Sequence, residues 1–107
     1  MKLLKDNETI TLSGQEAIAL LRETEYLLIS LRDIARHYYE GVQGDIGPQQ
    51  RASYCEATTA FIDDNQVTHR LASLRTTISA KFNLELGSDD MDDIERALQD
   101  ITYWKPR

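Results

Sequence analysis

Arg32 and His37 stand five residues apart in RDIARH, with Tyr38 and Tyr39 directly after them. They form the one arrangement in the chain that could be taken for a catalytic motif. Four carboxylates, Asp89, Asp90, Asp92 and Asp93, form a second cluster, a candidate divalent-metal site. That run lacks the alternating acids, the central glycine and the distal glutamate of a calcium loop, and acids belong in the first turn of a helix in any case. Cys55 and His69, with His37, are the remaining soft ligands, and they show no paired spacing for zinc. No metal and no cofactor are expected. The glycines of GVQGDIGP, residues 41–48, have no strand before them and no Lys-Ser/Thr pair after them, so they read as a helix–helix connection. Cys55 reads as a small packed residue, and no nucleophile–base pair emerges from spacing.

The Arg32/His37 pair resembles the Arg-x4-6-His pattern of HEPN-type ribonucleases over about eight residues of RDIARHYY. The resemblance implies a helical, dimeric, metal-independent ribonuclease in which the pair from each subunit faces a shared cleft. On a regular helix, however, residues five apart diverge by about 140°. They converge only if the helix ends or distorts there, or if a second subunit completes the site.

The element that carries this pair is predicted to be one long helix over 13–41. Ser13 and Glu16 have capping-box spacing. Ala17, Leu20, Leu21, Leu27, Leu28, Leu31, Ile34, Ala35 and Tyr38 then recur at three- and four-residue steps, the mark of one broad buried face. Gly41 stands where a left-handed cap would stop the helix. Ile18, Tyr26 and Ile29 fall off that stripe and are candidate partner-binding residues, with Trp104 as a further anchor. At about 40 Å such a helix would overhang a compact monomer, whose radius of gyration is about 13 Å. That favours an elongated bundle or a dimer.

Residues 1–12 suggest a short extended or β arm, from the alternation in Thr9-Ile10-Thr11-Leu12. Pro48 suits a helix start, and 48–82 is predicted to be a long or broken helix. The cap formers Asp63-Asp64-Asn65 mark the place for a break, whereas the lack of Gly or Pro favours continuity. A last helix is expected over 88–102, opened by Ser88 and ended before Pro106, with Tyr103 and Trp104 lying back over an apolar groove. The fold expected is therefore all-α, an elongated helical hairpin or a three- to four-helix bundle in one domain.

The chain has 107 residues, with 12 Lys and Arg against 18 Asp and Glu, a net charge of −6. An acidic balance disfavours nucleic acid, and Arg51, Arg70, Arg75 and Lys81 form only a thin basic scatter. A single cysteine suits a reducing cytoplasm, and neither a signal peptide nor a membrane span is expected. Together these features point to a small acidic regulatory or protein-interaction protein without catalysis of its own. It would act as a homodimer or with a protein partner, a basic one being suited to the charge. The ribonuclease is the alternative.

Overall fold

A computed structural model describes residues 2–107, and among them every regular element is helical. The chain divides into two compact units, Gly14–Leu74 and the residues up to Ser13 taken together with Arg75–Arg107. We call them the hairpin unit and the clasp unit.

The hairpin unit begins with α1 (Gly14–Tyr39), which runs unbroken for 26 residues. It stops as its sequence suggests: Gly41 takes a left-handed φ of 78°, and the Val42 amide donates to the Tyr39 carbonyl. A side chain at that φ would be strained, whereas glycine adopts it freely. Ile46, only 6% exposed, anchors the connection that follows. Next, α2 (Pro48–Asp64) starts with Pro48 in its first turn and packs against α1. The residues turned inward on α1 are Leu20, Glu23, Leu27, Ser30, Ile34 and Tyr38, spaced three and four apart. Leu27 is the most buried of them at 6% exposure. Its burial contributes about 2 kcal/mol. On α2 the corresponding positions are Tyr54, Ala57, Thr58 and Phe61.

The broad apolar face expected on α1 is buried along only one of its two edges. Leu21 and Leu28 belong to that face by spacing, yet they are 67% and 57% exposed. One neighbouring helix covers a strip about one heptad seam wide, and the apolar arc of α1 is wider than that.

Two helices follow where one continuous helix was favoured. Between α2 and α3 (Val67–Ser79), Gln66 adopts φ 50° and turns the chain out of its helical path. The Gln66 amide donates to the Asp63 carbonyl, and Asn65 Nδ2 donates to the Phe61 carbonyl at 3.0 Å, so the carbonyls freed by the break are partly satisfied. A side chain that can cap its own helix end thus does what Gly or Pro would otherwise do. The boundary between the units falls inside α3, after Leu74.

In the clasp unit the described residues of the N-terminal arm, 2–12, form no strand. They hold a single 3-10 turn at Lys5–Asn7 and are otherwise irregular. The last helix, α4, is six residues long (Asp93–Leu98), far shorter than 88–102. Ser88 is not its cap, because residues 87–91 form a tight turn in which the Gly87 amide donates to the Met91 carbonyl and Asp90 takes φ 62°. Asp92 caps instead: its carboxylate accepts from the Glu95 amide at 2.8 Å, while Glu95 reaches back to the Asp92 amide. Beyond α4 the tail is irregular. Tyr103 and Trp104 are 68% and 86% exposed and do not lie back over a groove.

Candidate functional site

Arg32 and His37 both sit on the regular, continuous part of α1, and both are exposed. The helix neither ends nor distorts between them, so within one chain they point apart by about 140°. His37 meets the Tyr38 ring edge-on at 4.8 Å between centroids. Tyr38 and Tyr39 both pack on Tyr54 of α2, at 5.9 and 5.4 Å. The tyrosines that follow the motif therefore fasten the end of the hairpin.

Tyr26, expected to face a partner, is engaged within the chain. Its hydroxyl donates to Asn65 Oδ1 at 2.8 Å, its ring lies 5.9 Å from that of Phe61, and the Arg70 guanidinium sits 4.8 Å over its face. Arg70 is held in turn by Glu23 Oε1 at 2.8 Å and by the Asn65 carbonyl at 2.9 Å. A cation over an aromatic face and a charge-assisted hydrogen bond reinforce one another here. The edge of Tyr26 remains 41% exposed, beside a shallow depression of about 400 Å³ that it shares with Arg22, Glu25 and Ile29. Ile18 is 58% exposed, and Ile29 is half-buried.

The acidic run has a different place in the structure from an ordinary first helical turn. Asp93 is 4% exposed and Asn7 3%. Asp93 Oδ2 accepts from the Leu4 amide at 2.7 Å and from Asn7 Nδ2 at 2.8 Å, while Oδ1 accepts from Arg96 at 2.9 Å. Asn7 also donates to the Asn83 carbonyl at 2.9 Å and accepts from the Asn83 amide at 2.8 Å. Arg96 grips Asp89 through two bonds of 2.6 and 2.7 Å. No buried side-chain polar atom among the described residues lacks a partner.

The electrostatics follow from these contacts. The Asn7 amide and the Leu4 N–H, with Arg96 behind them, hold the Asp93 carboxyl below its ordinary value despite burial. Arg96 holds Asp89 at about 2, and the same pairing pushes Arg96 itself up. With its charge already matched, this cluster is a structural knot. Among the described residues no group of three or more His, Cys, Asp or Glu side chains is placed to hold a metal ion.

Reading the sequence missed this knot, although its parts carried a signal. Asp92 and Glu95 have capping-box spacing, which places the helix start four residues after Ser88 and puts Asp93 inside the first turn. Nothing in the sequence marked Asn7 as its partner.

The clasp unit also carries an open apolar groove of about 390 Å³ lined by Leu3, Ile78, Phe82, Ile94 and Leu98, with Arg75 at its rim. On α1, Ile18, Leu21, Leu28 and Leu31 form a second apolar surface, each at least 38% exposed. Comparison with protein-family models, with curated proteins and with solved structures found no match. Among the described residues no helix is long and apolar enough to cross a membrane.

Proposed function

We propose that this chain acts by binding protein, as a small acidic regulatory or adaptor component without catalytic activity of its own. The observation that carries this reading is the inversion of burial on α1. Leu21 and Leu28 are 67% and 57% exposed, while Leu27 on the same helix is only 6% exposed. Contiguous apolar surface of this kind marks an interaction site. The net charge of −6 suits a partner surface that carries basic residues. The single exposed thiol of Cys55 suits a reducing compartment such as the cytoplasm. The ribonuclease reading of Arg32 and His37 draws no support from the divergence of those side chains on one helix.

A photoreactive amino acid placed at Leu21 in living cells tests the proposal, with exposed Gln50 on α2 as the control position. The expected result is a discrete cross-linked protein species from position 21 and none from position 50. Absence of any cross-link, together with RNA cleavage by the purified chain that is lost on His37→Ala, overturns it.

A further inference from the structure

The exposed apolar residues of α1 are ordered more strictly than a generic sticky surface requires. Ala17, Leu21, Thr24, Leu28, Leu31 and Ala35 alternate steps of four and three, the middle four exposed and the two alanines half-buried. At about 100° per residue they share an arc of about 80°. The seam so formed, beside the one covered by α2, is about 27 Å long from Ala17 to Ala35. A strict 3.5-residue period is the pattern of a helix that meets another helix through knobs and holes.

Thr24, the one polar member, donates its hydroxyl to the Leu20 carbonyl at 2.8 Å. With its donor already used, it lines an apolar contact at lower cost than a free hydroxyl would.

We propose that this seam is a self-association surface, on which two copies of the chain pair their α1 helices antiparallel about a two-fold axis level with Ile29 and Ser30. This rests on the protein-binding reading above and names the partner. Charge decides the occupant and the direction. Beside the seam, on the flank away from α2, lie Ile18, Glu25 and Arg32, seven residues apart in turn. Glu25 and Arg32 are both exposed, and neither forms an ion pair among the described residues.

In an antiparallel pair like flanks meet, so Glu25 faces the partner's Arg32 and Arg32 faces the partner's Glu25. The same register sets Leu28 against the partner's Leu31 and Thr24 against the partner's Ala35. Four leucines thus surround the axis, with a small-residue layer on either side. A shift of one heptad brings Glu25 against the partner's Glu25, which repels. A parallel pair turns Glu25 and Arg32 toward the partner's Leu20, Leu27 and Ile34 flank, where no charge answers them. The surface is complementary to itself in one arrangement, as a closed two-fold interface requires.

Sedimentation equilibrium and charge-swapped variants test this. The full chain is expected to be a dimer at about 100 μM. Leu28→Lys, at an exposed position that leaves the fold's circular dichroism unchanged, is expected to give a monomer. Glu25→Arg and Arg32→Glu are each expected to weaken the homodimer about tenfold by creating two like-charge contacts. Mixing those two variants is expected to restore a heterodimer, since each then offers the other only opposite charges.

With Cys55→Ser in the background, Thr24→Cys in one chain and Ala35→Cys in the other are expected to form a disulfide on oxidation. Cross-linking of Thr24→Cys to itself overturns the antiparallel arrangement, and a monomer at every concentration overturns self-association. A dimer indifferent to Leu28→Lys also overturns the inference while leaving protein binding intact. So does photo-cross-linking from Leu21 solely to a different protein.

Discussion

The clasp unit and the hairpin unit hold themselves together by different means. The clasp closes on a buried carboxylate and a buried amide, Asp93 and Asn7, whose hydrogen bonds are all met from within the unit. The hairpin closes on rings and aliphatic side chains along one edge of α1 and leaves the other edge uncovered. Directional bonding completes a structure, because each donor is used once. Apolar surface has no such limit, and a helix that is apolar over too wide an arc keeps attracting neighbours after the first has docked. The difference teaches that completeness in one unit and incompleteness in the other can be written into one short chain.

The largest expected effects test whether the two kinds of closure are separable. Leu27→Ala is expected to cost about 3 kcal/mol in urea unfolding, as truncation of a buried leucine does. Asn7→Ala is expected to cost about 2 kcal/mol through lost buried hydrogen bonds. In native-state hydrogen exchange, Asn7→Ala should release the Leu4 and Asn83 amides while α1 amides stay protected. Equal loss of protection along α1 would break the contrast between the units.

Acid should also distinguish them. The carboxyls of Asp89 and Asp93 are held below their ordinary value in the folded state, Asp89 at about 2. A depressed carboxyl contributes stability that is fully present above the unfolded pKa near 4 and lost as pH falls through the folded one. Between about pH 4 and pH 2 the clasp is therefore expected to loosen first, seen as earlier collapse of chemical-shift dispersion at Asn83 and Arg96 than at Leu27 or Phe61. Simultaneous loss at both sets of residues would contradict this.

Smaller effects probe the ring cluster. Tyr26→Phe removes the hydroxyl that meets Asn65 and is expected to cost about 1 kcal/mol. The smallest belongs to His37→Ala, expected to fall within about 0.5 kcal/mol of the parent with no change in RNA cleavage. A histidine-dependent nuclease activity would return Arg32 and His37 to the centre of the molecule.

How much of this was legible before folding depends on how far apart the causes lie in the chain. The course of α1 could be read from spacing, since the cap at Gly41 and the period of its leucines are local. The division of its apolar arc into a covered and an open edge could not, because that depends on how much of the arc α2 reaches. Ile18, Tyr26 and Ile29 were singled out for lying off the stripe. Tyr26 instead proves to be held by Asn65 and Arg70, and the most exposed leucines, Leu21 and Leu28, lie on the stripe itself. The break at Gln66 hinged on one side chain capping its own helix, a choice that propensity leaves open. The burial of Asp93 required Asn7, 86 residues away. No local pattern carries such a pairing.

That separation has a consequence for the order in which the chain can assemble. The clasp is built from two stretches divided by the whole of Gly14–Leu74. On a ribosome the first of them must wait, with Asn7 and Leu4 unanswered, until Asp93 has been made and released. The hairpin needs only neighbouring segments, and loops of that length close at modest entropic cost. Nascent chains halted before Asp93 should therefore contain a folded hairpin with residues 2–13 loose, and protease should cut within 2–13 until α4 has been made. The clasp is thus expected to close after the hairpin.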